Sequence, residues 1–146
     1  MIIGFRTLQV SEQQLRAVLE VVTRENTAFF LDRLRTGKRV QSASDAELRY
    51  CPDEAGYEVL YLDAGTLLDQ GVGSCGSIAA YEAGYLRALA QNHGTPAPVA
   101  AGRFAPDLLR QPSSTVDSWH AVVRTPDGHY DPCRGLEQVC VTPIYS

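Results

Sequence analysis

No apolar run in this chain approaches the roughly 20 residues that a membrane-spanning helix needs. The opening stretch MIIGFRTLQVSEQQ has no basic n-region, no long apolar h-region and no cleavage site. The reading is therefore no signal peptide and a reducing, cytoplasmic setting. A protein carried inside a larger particle such as a virion reads the same way. There is no excess of positive charge and no basic run, and the net charge is −4. That excludes a nucleic-acid backbone or an anionic membrane surface as the expected partner. Of the four cysteines, Cys51, Cys75, Cys133 and Cys140, no two form a CxxC pair or take zinc-finger spacing. Without an export signal a disulfide framework is not expected either. Cys51, Cys133 and Cys140 read as small buried apolar side chains.

What is present is an ordinary globular composition, 45% hydrophobic and 21% charged over 146 residues. This suits one α+β domain over 1–146: an N-terminal helical region and loop (1–56), a core (57–136) and a C-terminal tail (137–146). Ser11 and Gln14 have capping-box spacing. Leu15, Val18, Leu19, Val22, Phe29, Phe30 and Leu34 follow at helical intervals, with Gly37 as the stop and Asn26-Thr27 as a break between two helices. YEVLYL (57–62) reads as a strand or an extended entry segment, and VAAGRF (99–104) as a strand. Residues 105–117, rich in Pro and Ser, read as a loop and as a movable rim. A second helix starts at Cys75 and ends at Asn92-His93-Gly94. Gly84 in its middle costs about 1 kcal/mol relative to Ala, and close approach of another backbone would explain it.

GVGSCGS places Cys75 at that helix start. The positive end of the helix dipole favours thiolate, and the N–H groups there can hold an oxyanion. Gly73, Ser74 and Gly76 leave the sulfur uncrowded. On this segment alone a buried cysteine in a small-residue packing face reads equally well.

A nucleophile needs a base, and the base needs an orienting group. His93 reads as a helix cap and His129 as exposed. His120, inside the apolar strand SWHAVVRT, is the candidate base, with a core histidine as the plain alternative. Asp131, before Pro132, is the candidate orienter, with a turn aspartate as the alternative. A two-residue turn at Asp127-Gly128 pairs Arg124 with Asp131. His120 and Asp131 then share a face but stand four residues apart, on the order of 13 Å. Twist, a bulge or a different turn has to close that gap.

Taken in order, GVGSCGSIAAYEAGYLRAL and SWHAVVRTPDGHYDP resemble the transglutaminase-like branch of the papain-like cysteine-enzyme superfamily, over about residues 57–136. The likeness is greatest to short versions encoded among phage and prophage structural genes. The resemblance implies a nucleophile helix packed on a small antiparallel sheet. It implies Cys75 as nucleophile, His120 as general base and acid, and Asp131 as orienter. QGVGSCGS also resembles the glutamine-to-cysteine segment of papain-type proteases. Gln70 and Gly76 are accordingly the candidate oxyanion donors, a loop glutamine being the alternative for Gln70. Trp119 is the candidate substrate rim.

The expected activity is cysteine-dependent acyl transfer, as a peptidase, amidase or transglutaminase. The substrate would be a peptide or protein amide, with no cofactor and no metal. A metal set of Cys75, His120 and Asp131 ranks below a triad, and a thiol redox role lacks a nearby resolving cysteine in sequence. Ser74, Gly76 and Ser77 stand where the short relatives often carry acidic residues. That, with the long N-terminal helical region, carries the alternative of a non-catalytic binding or assembly module within a larger particle.

Overall fold

The computed structural model describes residues 2–6, 11–52, 58–111 and 118–139. In chain order these form β1 (Ile2–Arg6), α1 (Glu12–Arg35), β2 (Arg49–Tyr50), β3 (Glu58–Leu62), α2 (Ala64–Gln70), β4 (Val72–Gly73), α3 (Cys75–Asn92), α4 (Ala97–Arg103), β5 (Ala105–Gln111), β6 (Ser118–Thr125) and β7 (Gly128–Tyr130). The architecture is mixed α+β, with three small sheets. β1 pairs antiparallel with β3, β2 pairs parallel with β4, and β5-β6-β7 form an antiparallel sheet.

The capping box starts α1 as its sequence requires. Gln14 N donates to Ser11 Oγ at 3.1 Å and Ser11 N to Gln14 Oε1 at 2.9 Å. The helix does not break at Asn26-Thr27. Thr27 Oγ1 bonds back to Thr23 O at 2.8 Å, so its hydroxyl is satisfied within the helix. Asn26 Oδ1 accepts from Ala64 N, the first residue of α2, at 2.7 Å. These small polar residues lie where α3 crosses α1. A Cβ on Gly84 would stand 2.6 Å from Asn26 Cβ and 3.1 Å from both Thr23 O and Thr27 N. The two helices touch almost backbone to backbone, which is the close approach that justifies a mid-helix glycine.

The core lies around α3, which packs on α1 and against β6 and β5. Ile78, Ala79, Ala80, Tyr81 and Ala83 are all fully buried. Arg87, 3% exposed, forks onto Glu20 of α1 with two 2.8 Å bonds and donates through Nε to Phe104 O at 2.6 Å. A buried guanidinium requires this degree of pairing.

Two expectations for the middle of the chain are corrected. Residues 97–103 are helical, not a strand: Pro98 falls in the first turn, where its missing N–H costs nothing, and two alanines follow. The expected loop at 105–117 begins with seven residues of strand, β5. Pro106 is tolerated because β5 lies at a sheet edge. Residues 112–117 of that expected rim, and Cys140, lie outside the described residues.

Candidate active site

Cys75 is the first residue of α3. Ser74 is the N-cap, with extended backbone, and its Oγ accepts from Ser77 N at 3.4 Å. Ser77 Oγ in turn accepts from Leu62 N at 2.9 Å, tying the helix start to β3. N–H groups in a first helical turn have no intrahelical acceptor, so this end of α3 is a donor surface. Gly76 has a reason beyond access to the sulfur. A Cβ there would lie 2.4 Å from the Tyr61 ring, which covers that side of the turn.

His120 is carried by β6. Alternation along the strand turns Ala121 and Val123, 1% and 0% exposed, into the core and places His120 on the other face. The β6–β7 hairpin turns at Pro126-Asp127, so Thr125 pairs with Gly128, Arg124 with His129 and Val123 with Tyr130. This differs from a turn at Asp127-Gly128. Proline's fixed φ suits the second position of the turn, and Gly128 takes a φ of 117°. The shifted register carries Asp131 two residues closer to His120 while keeping it on the same face. His120 Nε2 and Asp131 Oδ2 are 2.7 Å apart. The other carboxylate oxygen accepts from Cys133 N at 2.9 Å, fixing the group from both sides. A carboxylate only accepts, so Nε2 carries the ring proton.

Cys75 meets the same strand. The Ala121 backbone N–H donates to Cys75 Sγ at 3.5 Å, so the sulfur stands beside the residue that follows His120. Cys75 is 7% exposed. All three predicted triad residues therefore converge on one stretch of β6. Gln70 is exposed at the last position of α2. Trp119 is half-buried against the hydrophobic core. His93 is the C-cap of α3, as expected.

Two neighbours escaped the sequence reading. The Tyr50 ring approaches His120 edge-on, with centroids 6.2 Å apart. It is delivered by the parallel pairing of Tyr50 with Gly73 and a bridge to Gln138. A two-residue strand leaves no periodicity to detect. Cys133 is buried, as expected, but its sulfur lies within 4.8 Å of ligand atoms of both His120 and Asp131. The only sequence cue is its position two residues after Asp131.

Polar contacts hold the hairpin in place. Tyr130 OH donates to Glu82 Oε2 of α3 at 2.7 Å; burial, then the Glu82 charge, pushes this phenol's pKa up. His129 is exposed and pairs with Asp107 of β5 at 2.7 Å, and Arg16 of α1 bonds the same carboxylate. Burial acts to raise the Asp107 pKa, but the hydrogen bonds from Arg16 and His129 outweigh it and leave it lowered. An open cleft of about 420 Å³ runs over Val122, walled by Leu109, His129, Tyr130, Asp131 and Arg134.

Compared with protein-family models, curated proteins and solved structures, the chain matches none of them.

Proposed function

We propose that this protein is a cysteine-dependent acyl-transfer enzyme with a papain-like, transglutaminase-like core. One observation carries the reading: the His120–Asp131 pair at 2.7 Å and the Ala121 N–H to Cys75 Sγ contact at 3.5 Å occupy adjacent positions of one strand. Asp131 holds Nε2, so Nδ1 is the nitrogen left to serve the sulfur. A donor aimed at the sulfur favours thiolate over thiol.

Cys75 gives its thiol proton to His120 Nδ1, and the resulting thiolate attacks an amide or ester carbonyl of a peptide or protein. The N–H groups at the start of α3, Cys75 and Gly76 among them, hold the oxyanion. His120 protonates the leaving amine or alcohol. It then takes a proton from water or an acceptor amine, which releases the acyl group. Hydrolysis and transamidation share the first half and differ only in the acceptor.

The test is intact-mass detection of an acyl-enzyme, using small amide and ester donors with and without an amine acceptor. The reading requires an adduct on Cys75 that Cys75→Ala abolishes. An unmodified wild-type chain, or an adduct that survives Cys75→Ala, contradicts it.

The burial of Cys75 favours a second reading, an assembly or binding module with this fold, within a phage-type particle. Under that reading Cys75→Ala keeps full assembly with its partner and no acyl-enzyme forms with any donor.

A further inference from the structure

We propose that His120, Asp131 and Cys133 form a binding site for a thiophilic divalent transition metal of the Zn²⁺ class, and that metal bound there switches off the Cys75 centre. The regulatory half rests on the acyl-transfer reading; the metal site does not.

One ligand atom from each of these three residues lies within 4.8 Å of the other two. Thiolate, imidazole and carboxylate together are the donor set of Zn²⁺ and its neighbours, not of Mg²⁺ or Ca²⁺. The two anionic ligands balance the charge of a dication. Tetrahedral bonds of about 2.0–2.3 Å put ligand atoms roughly 3.3–3.7 Å apart. Cys133 sulfur need only close in, and the 2.7 Å His120–Asp131 pair need only open by roughly half an ångström.

The surroundings meet the further requirements of a metal site. Cys133 is 5% exposed, in a setting dry enough to strengthen a metal–thiolate bond. Asp131 Oδ1 is already oriented by Cys133 N at 2.9 Å, a contact that leaves Oδ2 for the ion. Asp131 also lines the 420 Å³ cleft, which opens this ligand to solvent and gives an ion a path to it.

On binding, the Cys133 thiol proton leaves to solvent, and the His120 ring proton moves from Nε2 to Nδ1 by exchange with solvent, which frees Nε2 to ligate. The imidazole is then fixed to the metal and cannot relay a proton for Cys75. No electrons move, so chelation reverses the switch.

The full-length chain, stripped with a chelator under reducing conditions, is titrated with Co²⁺, because a Co²⁺–thiolate bond has its own charge-transfer absorption. The expected result is one ion per chain, with that absorption present in wild type and Cys75→Ser and absent in Cys133→Ser. Zn²⁺ affinity should fall more than about 100-fold in Cys133→Ser, beyond the loss of an outer-sphere partner. Asp131→Asn should also weaken it, and far-UV circular dichroism checks the fold of each variant. No absorption in wild type, or absorption that survives Cys133→Ser or disappears in Cys75→Ser, overturns the proposal. Acyl-enzyme formation is measured in parallel with chelator present. If it is absent while Co²⁺ binds as expected, the acyl-transfer reading falls and the metal site stands. If it is present and Zn²⁺ does not suppress it in wild type, the switch falls and the acyl-transfer reading stands.

Discussion

Asp131 reaches His120 because the β6–β7 hairpin turns one residue earlier than its Asp-Gly pair suggests, and the resulting contact is 2.7 Å. A one-residue change in turn position moves the pairing by two residues. The face of the strand is kept while the separation along it is halved. The Asp131 carboxylate is therefore placed by turn chemistry at Pro126.

Asp131→Asn tests that placement. An amide can present its NH₂ to Nε2 and stabilise the wrong tautomer, with the geometry otherwise intact. The expected loss in kcat/KM on an ester donor is between about 10² and 10⁴-fold, with the fold unchanged. Unaltered kcat/KM removes Asp131 from the mechanism.

Gly84→Ala tests the α1–α3 crossing. Helix propensity alone predicts a gain of about 1 kcal/mol. The new methyl would sit 2.6 Å from Asn26 Cβ, and overpacking of this kind costs about 1–3 kcal/mol. Steric cost wins, so the urea midpoint should fall; a rise means that the helices separate without penalty.

Much of this was legible because it is local. The Ser11–Gln14 box, the helix start at Cys75, the cap at His93 and the histidine in an apolar strand are each written within a few residues. What depends on packing was not. Tyr50 reaches His120 through a two-residue parallel pairing with no local pattern. Cys133 looked like filler because burial and proximity to a dyad leave the same mark on a sequence. Residues 97–111 misled because Val99 and Phe104 suggested a strand where Pro98 sits in the first turn of a helix. The prolines and polar residues of 105–117 then suggested a loop at what is a sheet edge.

Glu20→Gln tests the buried Arg87 fork. The Glu20 side chain is 32% exposed and that of Arg87 3%. Glutamine keeps one acceptor oxygen for Arg87 but removes the negative charge that compensates a desolvated guanidinium. The expected destabilisation is about 3 kcal/mol, the low end for breaking a buried pair. Thermal unfolding checks it, and an unchanged midpoint contradicts the pairing.

Asp107 sets an acid limit on stability. Its pKa is lowered in the folded chain, where the Arg16 and His129 hydrogen bonds outweigh burial. A lowered carboxyl contributes stability that is fully present above its unfolded value of about 3.9 and is lost as pH falls through the folded value. Asp107→Asn should therefore flatten the decline of unfolding free energy below about pH 4, relative to wild type. Parallel declines in the two proteins contradict the assignment.

The central claim is that Cys75 is an activated nucleophile served by His120. The most direct measurement is residue-resolved iodoacetamide labelling of all four cysteines across pH, by peptide mass spectrometry, in wild type and His120→Ala. The account predicts that Cys75 reacts fastest in the wild-type protein, with a midpoint below the ordinary thiol value of about 8.5 that moves up in His120→Ala. A Cys75 that resists labelling, or that titrates near the ordinary value with or without His120, contradicts it.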